Sequence, residues 1–167
     1  MPKYYMPTVL LSGNNCIKRH PRHLLHGKKC MIITGAKSAV LSGALDDVKA
    51  VLNDNNIEYE LYSGVNGNTN ISEIYNIAQT AKEHNIDYLI GIGGGSVLDA
   101  AKAVSVYATN DIEPMQIFDE KYNNTPLKVV CVPTTAGTGS DTTQYVMLTI
   151  DEPHNKHSFS SEMCFPY

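Results

Sequence analysis

No apolar run in this sequence approaches the ~20 residues that a membrane-spanning helix requires, which argues against a membrane partner. The opening MPKYYMPTVLLSG lacks an apolar core of signal-peptide length, so the expectation is a protein that is not secreted. Basic charge is not in excess either. Thirteen Lys and Arg stand against 17 Asp and Glu, a net charge of −4, which argues against a nucleic-acid partner. The four cysteines, Cys16, Cys30, Cys131 and Cys164, are scattered with no C-x-x-C pair, a usage that fits a reducing cytoplasm better than a disulfide framework. Internal repeats, low-complexity tracts and linkers are missing as well, so the expectation is one domain over 1–167. It divides into an N-terminal strand or arm over 1–26, βα units over 27–143, and a hairpin with tail over 144–167. What is present is a globular composition, 43% hydrophobic and 18% charged, in a chain long enough to bury a core without staples.

The middle of the chain alternates two periodicities. Lys29–Thr34 (KCMIIT) is a short apolar run ending in Gly35 and reads as a buried strand. Val40, Leu41, Ala44, Leu45, Val48, Val51 and Leu52 recur at helical spacing and predict one helix over about 38–53 with a single apolar stripe. IEYELY (57–62) reads as a second strand, and the turn formers SGVNGNTN follow it. A second helix then puts Ile71, Ile74, Tyr75, Ala78 and Ala81 on one face, with Asn70 and Glu73 as its capping pair. DYLIGI (87–92) is a third strand, 96–108 a third helix, and KVVCV (128–132) a fourth strand closed by Pro133, with 112–126 irregular. This order predicts an α/β fold: a Rossmann-like, doubly wound, mainly parallel sheet with helices on both faces. Outside it, 3–11 reads as an edge strand or hairpin arm, and Tyr145–Ile150 with 158–159 flanks DEPHNK as a hairpin.

Two glycine-rich segments follow strands. In GIGGGSVLDAAKAV, which starts at Gly91, a strand runs into three glycines and a helix opens at Ser96. Glycines allow close backbone approach, and a helix N-terminus offers unpaired N–H groups and a positive dipole end, which together suit a pyrophosphate. The competing reading is a tight turn in which Ser96 and Asp99 form a capping box. Gly91, Gly93 and Ser96 miss the G-x-G-x-x-G fingerprint narrowly, and the loop follows the third strand where that fingerprint follows the first. PTTAGTGSDTT, from Pro133, brings the hydroxyls of Thr134, Thr135, Thr138, Ser140, Thr142 and Thr143 to the same carboxyl edge of the sheet, where ligands bind in open α/β folds.

The pair GGGSxxDAAKA and PTTAGTGS resembles the signature of the iron-containing (group III) alcohol dehydrogenases, over about 27–166. The resemblance implies an N-terminal dinucleotide-binding domain, with the metal in a separate all-helical domain. Of the related branches, PTTAGTGS favours alcohol dehydrogenases over glycerol dehydrogenase and dehydroquinate synthase. By that likeness Gly94, Gly95 and Ser96 resemble the pyrophosphate loop, with Asp99 of the same signature also assigned to the cofactor. Thr134 and Thr135 resemble the threonine pair beside it, with Thr138 and Thr143 nearby. Asn68, in G-V-x-x-N-T, matches an asparagine at the cofactor cleft. Lys156 sits where a family lysine reaches the cofactor ribose; a solvent-facing hairpin lysine is the alternative.

Two departures from the family pattern matter. Many NAD-using members carry an acidic residue just after the first strand, where this chain has Gly35, followed by Ala36, Lys37 and Ser38. Nothing there repels a 2′-phosphate, and Lys37 and Ser38 suit one, so NADP(H) is expected to bind at least as well as NAD(H). The second departure is that the D-x-x-x-H of the family's metal helix is absent. The resemblance therefore implies the NAD- or NADP-binding half alone, without the helical metal domain and inactive by itself. In the full-length enzyme, iron or another divalent metal would serve hydride transfer between the nicotinamide and a small alcohol or aldehyde. The alternatives are a non-catalytic truncated module or a glycerol dehydrogenase-like relative. Without the helical domain the cleft face is expected to leave an apolar patch exposed, and family dimers suggest a homo-oligomer that associates through an edge strand near the N-terminus.

The histidines read as surface residues. His20, His23 and His26, and likewise His154 and His157, fall three apart, but no carboxylate or cysteine is placed to complete a metal site. His84 reads as a helix C-terminal charge partner or as simply solvated, Cys131 as a small core residue, and Tyr5, Tyr59, Tyr62 and Tyr88 as packing.

Overall fold

The computed structural model describes residues 4–167. Strand β1 (Lys29–Thr34) pairs in parallel with β2 (Glu58–Ser63) on one side and with β3 (Tyr88–Gly93) on the other, and β4 (Lys128–Pro133) pairs in parallel with β3. The order is β2-β1-β3-β4. The two central strands, covered on both faces, are the near-continuous apolar runs of the sequence; β2 lies at an edge and carries Glu58 and Glu60. Because the chain steps outward from β1 to β2 and then returns past β1 to β3, the winding reverses between β1 and β3.

Helices cover both faces, as expected. Helix α1 (Cys16–Arg19) and α2 (Ser38–Leu41) are short; α3 (Ala44–Asp54) packs Leu45, Val48, Val51 and Leu52 against Cys30, Ile32, Ile90 and Ile92. On the other face α4 (Ile71–Glu83) and α5 (Gly95–Thr109) pack against Met31, Ile33 and Leu89. Helix α5 is buried on all sides from Val97 to Tyr107, because the antiparallel hairpin of β5 (Tyr145–Ile150) and β6 (Asn155–Ser160) covers it. A sequence apolar on every face but for Asp99, Lys102 and Ser105, as VLDAAKAVSVY is, suits a helix in that position.

Several expectations are corrected. The single helix over 38–53 is two: Gly43 takes a left-handed conformation (φ 76°), donates to the Val40 carbonyl at 3.0 Å, and restarts the helix in a new phase. Val40 and Leu41, counted in the apolar stripe, are consequently 59% and 82% exposed. Of the segment 3–11, Lys3 lies outside the described residues; 4–11 pairs with no strand and forms an exposed arm. The irregular 112–126 contains a 3-10 helix, Pro114–Asp119, pinned by the Tyr107 hydroxyl on the Pro114 carbonyl. The second hairpin strand is longer than 158–159, which shortens the turn. Asn70 does cap α4 by position, but its side chain makes no capping bond, and Glu73 instead accepts from the Tyr62 hydroxyl at 3.1 Å. His26 is half-buried rather than on the surface, with its ring 4.1 Å from that of Tyr167.

At the opposite edge from the glycine loops, Glu60 ties three elements together. It receives Lys29 Nζ at 2.7 Å and His84 Nδ1 at 2.6 Å. The Lys29 bond first, and the His84 bond second, hold its carboxyl below the usual carboxylate range. A carboxyl depressed by folding stabilises the protein above its unfolded pKa of about 4.3 and stops doing so as pH falls through the folded value. Thermal unfolding followed from about pH 6 to 3 should therefore show a shallower acid loss for Glu60→Gln than for wild type. The difference is expected to be small because the group is partly exposed. Identical acid limbs would remove Glu60 from the explanation.

Candidate functional site

The carboxyl ends of β1, β3 and β4 meet at the winding reversal, and the glycine loops lie there. Helix α5 begins at Gly95 with Gly94 as its N-cap, so the Ser96–Asp99 capping box does not form. No side chain caps the helix, and no acidic residue stands in its first turn. The amides of Val97 and Leu98 turn back to the Gly94 carbonyl at 3.0 and 3.1 Å, which leaves those of Gly95 and Ser96 as the orphan donors of a 15-residue helix.

The second loop closes over this point. A Cβ on Gly94 would lie 3.2 Å from Thr135 Oγ1; one on Gly95 would lie 3.1 Å from Thr138 Cβ and 3.3 Å from Ser140 Oγ. The Gly94 backbone (φ −82°) suits any residue, so glycine here serves space, not conformation. Thr134 extends the sheet by one bond, N–H to the Gly93 carbonyl at 2.9 Å, while its hydroxyl is buried without a partner. Left-handed Gly137 (φ 102°) and Gly139 (φ 72°) turn the loop back.

A third wall comes from the segment after β2. Ser96 Oγ donates to the Gly67 carbonyl at 3.0 Å, which sets Asn68, exposed, beside the helix start. Gly35, at the end of β1, faces the same helix: a Cβ there would lie 3.4 Å from Val97 Cγ2 and 3.9 Å from Ser38 Oγ. Lys37 next to it is exposed, with no ion pair among the described residues.

Other assigned residues sit apart from the cleft surface. The Thr143 hydroxyl donates to the Gly139 carbonyl at 2.9 Å and so shapes the loop from within. Asp99 is buried beneath it, with Oδ2 accepting from the Met147 amide at 3.0 Å, and burial pushes its carboxyl above the usual range. Lys156 is exposed on β6 opposite Thr149 and makes no bond to either loop. Sequence reasoning missed Lys102, which is fully buried on α5 and bonded to Thr143 and Tyr145. The available signal was a single lysine in a mostly apolar helical run whose other polar residues are Asp99 and Ser105. Burial pushes the Cys131 thiol up to about 12, as expected of an inert packed residue.

A bare glycine cradle, free helix amides and an orphaned buried hydroxyl at Thr134 fit a phosphate-bearing dinucleotide. A metal is different: among the described residues no group of three or more His, Cys, Asp or Glu side chains could hold one.

Sheet order and cleft define the class, a doubly wound α/β protein with its ligand cradle at the switch point. Comparison with known proteins narrows this. The family model described as "Iron-containing alcohol dehydrogenase" matches residues 7–167. "Alcohol dehydrogenase 4" of Schizosaccharomyces pombe is 29% identical over 98% of this chain and 39% of its own length. "Probable NADH-dependent butanol dehydrogenase 1" of Bacillus subtilis is 32% identical over 98% of this chain and 43% of its own. The crystal structure of an iron-containing alcohol dehydrogenase from Thermotoga maritima superposes with a TM-score of 0.89 at 34% identity, covering 98% of this chain and 45% of that one. The chain belongs to the iron-containing alcohol dehydrogenase family and spans less than half the length of these relatives.

Proposed function

We propose that this chain is the part of a nicotinamide-dependent alcohol dehydrogenase that grips and orients NAD(P), with the helix start at Gly94–Ser96 holding the pyrophosphate under the Thr134–Thr138 loop. The observation that carries the reading is the approach of Thr135 and Thr138 to within 3.2 Å of where Gly94 and Gly95 side chains would be. The amides of Gly95 and Ser96 supply donors, and the hydroxyls of Thr134, Thr135 and Thr138 supply a second layer. Asn68 flanks the cleft, Thr143 shapes the loop over it from within, Lys156 reaches toward the ribose, and Asp99 acts from beneath the glycine pair. A nicotinamide cofactor held there would supply hydride transfer to or from a small alcohol or aldehyde carbon. The work of this chain is to fix the cofactor's position and to keep water from its phosphates. No step is assigned to a metal, since the described residues provide no ligand set. Turnover thus belongs to a longer form. A cytoplasmic setting is part of the same reading. So is self-association, which the exposed Tyr4, Tyr5, Val9 and Leu10 of the arm support.

Gly35, Lys37 and Ser38 set the choice of cofactor. With no carboxylate after β1 and an unpaired lysine beside it, a 2′-phosphate meets attraction. Fluorescence titration of the chain should find NADPH binding at least as tightly as NADH. Neither binding would end the functional reading, and NADH binding about tenfold tighter, about 1.4 kcal/mol, would end the role given to Lys37 and Ser38.

A further inference from the structure

Lys102 lies two turns into α5, wholly out of solvent. Its ammonium donates to the carbonyls of Thr143 at 2.7 Å and Tyr145 at 3.0 Å, and stands 3.9 Å from Asp99 Oδ1, an oxygen with no bond of its own. Asp99 Oδ2 takes the Met147 amide. Two side chains of one helix therefore hold the stretch in which the threonine loop becomes β5. Burial lowers the lysine's pKa, against the pull of Asp99. A buried cation paired this loosely is a poor source of net stability, although removing it alone leaves Asp99 and the Thr143 and Tyr145 carbonyls without their partner. Its effect is local. The loop is fixed upstream by Thr134 on Gly93, and internally by Thr142 and Thr143 on Gly139 and by a long 3.5 Å bond from the Ser140 amide to Thr138 Oγ1, while Thr135, Ala136, Gly137 and Thr138 are exposed.

We propose that Lys102 is a positioning residue: by gripping the Thr143 and Tyr145 carbonyls it holds the downstream stem of the loop to the helix that carries the glycine pair, and so sets Thr135 and Thr138 over Gly94 and Gly95 before any dinucleotide arrives. This rests on the cleft being the dinucleotide site, and the test separates the two. Lys102→Met is made in the whole chain, and amide exchange is followed without ligand. Exchange across 135–142 should quicken by about tenfold or more while β1 and β3 amides keep their protection. NADPH should then bind about tenfold more weakly to Lys102→Met, about 1.4 kcal/mol. In a Thr135→Val/Thr138→Val background the same change should cost less than about twofold, because the lysine acts through those threonines. Lys102→Gln, with two N–H donors on a shorter arm, should give intermediate values and serves if the methionine variant does not fold. Unchanged exchange in the loop, or a full loss of affinity in the background lacking both threonines, overturns the proposal. A wild-type chain that binds no dinucleotide overturns the functional reading, and the exchange rates still decide the role of Lys102.

Discussion

Replacing Gly94 by valine should abolish dinucleotide binding and leave the fold standing. The residue is an N-cap in extended conformation (φ −82°, ψ −175°), which valine adopts readily, so the backbone carries no strain. Its Cβ position lies 3.2 Å from Thr135 Oγ1 and 3.6 Å from Thr135 Cγ2, on an exposed loop residue that can shift. The two added methyls fill the gap between helix start and threonine loop, where the phosphates have to approach the Gly95 and Ser96 amides. Affinity for NADPH and NADH should fall by about 100-fold or more, about 2.7 kcal/mol. The thermal midpoint should stay within about 3 °C of wild type. A valine variant that titrates like wild type would place the phosphates elsewhere.

One residue earlier, the expected result is reversed. Gly93→Ala should damage folding more than binding chemistry. A Cβ on Gly93 would lie 2.6 Å from Val97 Cγ2 and 2.7 Å from Val97 Cβ, distances that side chains do not tolerate. Gly93 is buried at the end of β3, and Val97 is β-branched with one stiff rotamer in a helix, so neither can step aside. Helix α5 has to lift from the sheet along its first turn. Overpacking of this kind costs about 2–3 kcal/mol, or a fall of about 5–10 °C in thermal midpoint for a chain of this size. Val97→Ala in the same chain should restore only part of the loss, because it removes Cγ1 and Cγ2 but keeps the Val97 Cβ at 2.7 Å, and a midpoint that does not move in Gly93→Ala would refute the close packing. The adjacent glycines of one motif thus have separate duties: Gly93 lets the helix rest on the strand, and Gly94 leaves room above it.

That division was not legible in GGGS, although much else was. The strands at 29–34, 88–93 and 128–133 announce themselves as unbroken apolar runs because both faces of the sheet are covered. The break at Gly43 was hidden because apolar residues continue at helical spacing on both sides of it; only the left-handed glycine ends the phase. A glycine loop after the third strand looked misplaced for a nucleotide fold. The sheet order resolves this, since β3 lies beside β1 and its loop faces the first crossover across the reversal. Lys102 was missed for a different reason. A helical lysine reads as solvated, and only the hairpin over α5 buries it.

The walls of the cleft come from Gly35, Gly67, Gly94 and Thr134, positions spread over most of the chain. As a ribosome delivers this polypeptide, β1 waits for its central neighbour β3 until β2 and α4 have emerged, and the threonine loop arrives later still. No nascent fragment ending before β4 holds a complete binding surface. A ligand of this cleft can therefore stabilise only chains extended past β4 and the threonine loop, and substitutions that slow the earlier steps of folding lie beyond its reach.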